Sequence, residues 1–179
     1  IGLNLLNSTT NLIKLDENVF EDLEIGVQLN NTQNIRLTPS DKLKINKFKN
    51  CEKGVFSWLT TNTECMFNRF ENIGDANYAT ASEAAIVSVN SSMTIAKNEI
   101  LNSSIGVSSN SDKLFTVDDN DFNNTQLGLR IEKNRQGMFV KNNTITGKDG
   151  IWQIMGRSPY IQNNQINNAG RSNVIAYGV

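Results

Sequence analysis

The sequence predicts an all-β solenoid of about seven stacked coils, and three observations lead to that class. An asparagine-centred phrase returns at Asn18, Asn46, Asn68, Asn98, Asn120, Asn143 and Asn164. An apolar residue stands three positions before each of these asparagines and another stands two positions after it. A glycine follows eight residues after four of them, at Gly26, Gly54, Gly106 and Gly128, and arrives one residue early in the sixth copy, at Gly150. A short period of this kind marks a stacked architecture. One unit is too small to bury its own apolar face, and its neighbours complete the core.

Each copy divides into three short segments. The first reaches the corner through Leu15, Leu43, Cys65, Ile95, Val117, Val140 or Ile161. The second carries Phe20, Phe48, Phe70, Ile100, Phe122, Ile145 or Ile166, and four residues past the anchor come Asp22, Asn50, Asn72, Asn102, Asn124, Gly147 and Asn168. The third follows the glycine and turns apolar, as in "GVQL", "GVFSW", "GVSS", "GLRI" and "GIWQI". Inward residues recur at period two, the strand signature, and no copy has the spacing of an amphipathic helix. Asparagine is abundant, with 28 in 179 residues. It suits corners, because it tolerates left-handed backbone and carries both a donor and an acceptor. Stacked strands lie about 4.8 Å apart, so seven coils make a rod of about 34 Å. Phe20, Phe48, Phe70 and Phe122 should then occupy a single internal file.

The chain reads as a single domain over 1–179, with loop insertions near 30–42 and 76–92 where the anchors are 28 and 30 residues apart. Loops on a rigid repeat scaffold often carry function. "IGLNLLN" reads as the glycine-side strand of an earlier coil, and "VIAYGV" as a strand. Neither end looks capped, and the first residue is Ile1. The expectation is a processed or partial chain, a segment of a longer helix or one whose ends other domains cover.

The phrase "[VIL]-x-x-N-x-[FI]-x-N" followed by "G-[VIL]" resembles the repeat of right-handed parallel β-helix proteins of the pectate-lyase-like superfamily. The resemblance runs from about residue 13 to the end. It implies three parallel sheets and an asparagine ladder near one corner. Leucine-rich repeats offer a competing phrase, but they require a leucine eight residues before the asparagine. Those positions hold Thr10, Thr38, Thr60, Asn90, Asp112, Arg135 and Gly156, none of them apolar.

Composition narrows the function classes. With 17 basic and 18 acidic residues there is no basic stripe of the kind nucleic acid needs. No apolar run approaches 18 residues, so membrane insertion is not expected. There is no histidine, which removes histidine bases, triads and metal ligands. Cys51 and Cys65 read either as a disulfide or as two small buried side chains.

The resemblance implies that ligands, usually acidic polysaccharides, lie along the outer face of the strand after the glycine. The outward column there reads Asn4, Gln28, Phe56, Tyr78, Ser108, Arg130 and Trp152, with Asn30, Trp58, Asn110 and Glu132 two residues on. Aromatic faces stack on sugar rings and arginine grips carboxylates. Phe56, Trp58, Arg130 and Trp152 are therefore the candidate carbohydrate-binding residues. "VDDND" invites a hydrolase reading, because inverting pectin hydrolases of this superfamily use clustered aspartates. Their "GHG" signature is absent, and adjacent Asp118 and Asp119 point to opposite sides of a strand. A lyase would need a base and a uronate partner, for which Arg130, Lys133, Arg135 and Lys141 are candidates without distinctive spacing. Asp118, Asp119 and Asp121 offer oxygens for Ca²⁺, but the glycine-rich nonapeptide of calcium rolls is missing and no cofactor is expected. The sequence thus favours a non-catalytic, extracellular or cell-surface stalk, adhesin or carbohydrate-binding surface. Its partners would be a glycan and further domains of a longer chain. A polysaccharide lyase or glycoside hydrolase is the second reading, and the cargo of a protein export system the third.

Overall fold

The computed structural model describes residues 1–9, 13–75, 82–133, 137–155 and 159–177, with backbone alone from 168 onward. Every described pairing is parallel, and no described residue is helical. The chain winds through three faces per turn. The long face holds Leu3–Leu6, Ile25–Asn30, Lys53–Trp58, Ala84–Val89 and Ile105–Asn110, then the later halves of Asp121–Glu132, Thr144–Ile154 and Gln165–Tyr177. The second face runs from Ile13–Lys14 through Ile35–Leu37, Thr63–Met66, Met93–Ala96, Phe115–Asp118 and Met138–Lys141 to Tyr160–Gln162, a seven-stranded sheet. The short face begins with Val19–Glu21, Lys47–Lys49, Arg69–Glu71 and Glu99–Leu101. It merges with the long face into one twelve-stranded sheet, because the last three strands pass through the corner unbroken.

Side chains of one kind fall into files. Phe20, Phe48, Phe70, Ile100, Phe122, Ile145 and Ile166 are in register from coil to coil. The first three rings stack at centroid distances of 4.9 and 4.6 Å, interplanar angles 15° and 12°. On the long face the inner file is Leu3, Val27, Val55, Ile86, Val107, Leu129 and Ile151. Together these files form one apolar core along the rod.

The glycines answer to those phenylalanines. A Cβ built on Gly54 would lie 2.6 Å from the Ala85 carbonyl oxygen and 2.6 Å from Phe70 Cδ1. Each such glycine lets the ring of the following coil lie against bare backbone. Ala85 holds the glycine position in the one coil followed by Ile100 instead of phenylalanine among Gly26, Gly54, Ala85 and Gly106.

The anchor asparagines form a buried amide ladder. Asn18, Asn46, Asn68, Asn98, Asn120 and Asn143 each donate from Nδ2 to Oδ1 of the next anchor, at 2.9 to 3.3 Å. Most also donate to a carbonyl of the preceding coil, as Asn98 does to Cys65 at 2.9 Å and Asn120 to Ile95 at 3.1 Å. The left-handed residue is not the anchor but the one before it: Glu17, Phe67, Lys97, Asp119, Asn142 and Asn163 all have φ between 55° and 56°. Asp22, Asn50, Asn72, Asn102 and Asn124, four residues past the anchors, are left-handed too and line an exposed corner. There Asn50, Asn72 and Asn124 donate back to the coil before.

Two alignments need correction. Leu43 is 88% exposed, and its expected place in the core belongs to Leu37, which pairs with Cys65. The extra residues of the 28-residue interval therefore fall within 38–45, and 30–37 belongs to the regular coil. In the 30-residue interval, 84–89 is a regular strand of the long face, and 76–81 lie outside the described residues.

Asn98→Ala should cost roughly 3 kcal/mol in urea unfolding, since several buried groups lose partners at about 1–3 kcal/mol each. Asn102→Ala should cost only about 1 kcal/mol, the left-handed backbone penalty. Gly54→Ala should lower stability by about 1–3 kcal/mol through overpacking, read from the same unfolding midpoint.

Candidate functional site

Register on the long face decides which side chains share its outer surface. The outward column is Asn4, Gln28, Phe56, Val87, Ser108, Arg130 and Trp152. Val87 stands where Tyr78 was expected, and Tyr78 lies outside the described residues. The run "AAIVSV" carried the signal: period-two apolar residues with alanine in the glycine place. The next outward column is Leu6, Asn30, Trp58, Val89, Asn110, Glu132 and Ile154.

These columns build a strip with an apolar floor. Ala84, Val87, Ile105 and Leu127 are buried in a cluster separate from the core, against Phe56, Val89 and Trp152. A hollow of about 230 Å³ opens among Phe56, Val87, Val89, Ser108, Asn110 and Glu132. Lys53 also reaches it. The floor offers apolar surface to a sugar ring, and the rim offers polar groups to hydroxyls.

The four expected carbohydrate-binding residues share this face but do not form one pocket. Phe56 and Trp58 lie on one strand, with Trp58 43% exposed. Arg130 is three coils further on and Trp152 four, so Phe56 and Trp152 stand about 19 Å apart along the rod. Arg130 is already engaged. Its Nη2 is 2.6 Å and its Nε 2.7 Å from Glu132 Oε1, while Asn110 donates to Glu132 Oε2 at 3.2 Å. A ligand carboxylate would have to displace an internal one. Near the end of the strip, Trp152 Nε1 and Asp149 Oδ1 are buried without hydrogen-bond partners among the described residues.

The aspartates of "VDDND" diverge. Asp118 faces outward on the second face, 3.3 Å from Lys141 Nζ, and accepts a hydrogen bond from Asn142 at 2.9 Å. Asp119 occupies a left-handed corner at φ 56°, and Asp121 stands on the short face between Glu99 and Thr144. They do not converge on the hollow, as a two-carboxylate mechanism requires. Among the described residues no group of three or more Cys, Asp or Glu is arranged to hold a metal ion. Of the basic candidates for a lyase, Lys133 sits at another left-handed corner, Lys141 pairs with Asp118, and Arg135 lies outside the described residues.

Both cysteines are free and buried. Cys65 belongs to the inner file of the second face with Leu37 and Ile95. Burial pushes its thiol up to about 12. Burial also raises Cys51, whose Sγ lies 3.4 Å from the Lys49 carbonyl oxygen.

One comparison with known proteins bears on the architecture. A family model described as a right-handed β-helix region matches residues 1–166, and the chain belongs to that family. The chain matches no curated protein and no solved structure.

Neither thiol should react with iodoacetamide in the native protein, and both should react in urea, as counted by mass spectrometry. The raised Cys65 value also sets an alkaline limit. The unfolded thiol ionises near 9 while the folded one stays protonated to about 12. The stabilising difference is therefore complete below pH 9 and declines as pH rises toward 12. Cys65→Ala should flatten that decline.

Proposed function

We propose that the chain is a non-catalytic, secreted or cell-surface β-helix whose long face binds carbohydrate. The observation that carries this reading is the hollow floored by Phe56, Val87 and Val89 and rimmed by Ser108, Asn110 and Glu132. Apolar floor and polar rim match the two sides of a sugar: its C–H face and its hydroxyls. The hollow is open and smaller than the roughly 300–1,000 Å³ of enclosed small-molecule sites, which suits the passing contact of a chain along a surface. Glu132, the carboxylate at its rim, accepts from Arg130 and Asn110. The strip continues past Leu127 to Asp149 and Trp152 in the next coil.

The test is a glycan array together with ultraviolet detection of unsaturated products from acidic polysaccharides. Binding without product is expected. Phe56→Ala and Trp58→Ala should each weaken it about tenfold, a loss of about 1.4 kcal/mol. Product formation would overturn the non-catalytic reading, and unchanged affinity in both variants would remove the proposed surface.

A further inference from the structure

Two departures of the chain from its own repeat meet at the corner between the second and short faces. The first is Phe67. At this corner the left-handed residue is Glu17, Lys97, Asp119, Asn142 or Asn163 in other coils, all polar, but here it is a phenylalanine at φ 56°. A bulky side chain in that conformation is strained, as Leu59 and Met155 are at another corner, and Phe67 is the strained residue that two lysines approach. The second is the extra loop, 38–45. It is tethered: Ser40 donates from both N–H and Oγ–H to the carboxylate of Asp16 in the coil before, and Leu43 N–H donates to Asp41 Oδ1 at 3.0 Å.

The tethered loop carries Lys42 to the strained ring, its Nζ 5.4 Å from the Phe67 centroid, and Lys97 from the next coil brings a second Nζ to 5.5 Å. A hollow of about 190 Å³ lies among Lys42, Ile45, Phe67, Arg69, Lys97 and Glu99. Arg69 is taken up by Glu99 at 3.1 Å and Glu71 at 3.6 Å. Among the described residues Lys42 and Lys97 have no ion pair, and Glu99, the carboxylate lining the same hollow, is paired with Arg69, so two ammonium groups share one ring without an ion-pair partner of their own.

We infer that this corner binds a sulfate or phosphate ester group carried on a carbohydrate. The two ammonium groups clamp the oxyanion, and Phe67 with Ile45 takes the apolar face of the adjoining ring. Lysine is a compact point charge with rotatable donors, suited to a tetrahedral oxyanion, whereas a planar carboxylate calls for the arginine fork that Arg69 does not have free. The site is away from the long face and stands whether or not that face binds glycan.

Calorimetric titration of the whole chain with sucrose octasulfate, glucose 6-phosphate and glucuronate tests it. At least one ester should bind at a single site and more tightly than glucuronate; which ester binds identifies the source. Lys42→Gln and Lys97→Gln should each weaken binding by at least about fivefold, and Lys148→Gln, at a distant corner, by less than about twofold. Phe67→Asn should weaken binding while holding or raising the melting temperature, because asparagine accepts the left-handed corner. The inference falls if neither ester binds at millimolar concentration, or if glucuronate binds as well as the esters. It also falls if Lys148→Gln costs as much as Lys42→Gln. A Phe67→Asn variant that melts lower but binds normally would make the ring a packing element only.

Discussion

The fold depends on the buried asparagine ladder. At its corner the chain turns sharply, and backbone groups point inward where no strand partner can reach them. A buried polar group left unpaired costs more than a typical hydrogen bond returns, so the corner must supply partners. One amide per coil does so. Asn98 donates to the Cys65 carbonyl behind it and to Asn120 ahead, and its Oδ1 accepts from both the backbone and side chain of Asn68. Each interior anchor, Asn46, Asn68, Asn98, Asn120 and Asn143, therefore joins three consecutive coils. Intervals between anchors range from 21 to 30 residues while the ladder stays unbroken. Loops can lengthen between anchors, but the anchors themselves cannot shift.

Packing obeys the same coil-to-coil constraint. Strands about 4.8 Å apart leave no room for a Cβ between one coil's backbone and the next coil's phenylalanine, so glycine precedes the aromatic file. The interior is not uniformly apolar. Ser57, Ser88 and Ser109 continue the inner file that begins with Leu5 and Leu29. Ser57 pairs with Thr60 in its own coil and Thr60 N–H donates to Ser91 Oγ in the next, while Ser88 Oγ is buried without a hydrogen-bond partner among the described residues. The ion pairs outside, such as Lys49 with Glu21 and Arg69 with Glu99, are exposed and contribute little to stability.

A scaffold so regular makes departures from regularity informative. The outer face of a strand does not need apolar residues, yet the long face buries Val87, Ile105 and Leu127 beside Phe56 and Trp152. A corner does not need a phenylalanine, yet Phe67 sits there between two lysines. The two functional proposals rest on these departures, one on a broad strip and the other on a compact cationic corner.

The repeat itself was legible in the sequence. Anchors, inward files, glycine positions and the exposed asparagine corner follow from period and residue type, because each coil imposes the same local demands on backbone and side chain. Phe20, Phe48, Phe70 and Phe122 do share one internal file. Tertiary structure alone decided the rest. Leu37 and Leu43 are equally apolar, and only pairing with Cys65 shows which one is inside. Arg130 looked open to a ligand until folding brought Asn110 against Glu132 and fixed that carboxylate on the guanidinium. Lys42, Phe67 and Lys97 are separated by 25 and 30 residues in the chain and meet only because coils stack. Local chemistry repeats within a coil and can be read along the chain. Partners on the outer surface come from neighbouring coils, and that choice belongs to register.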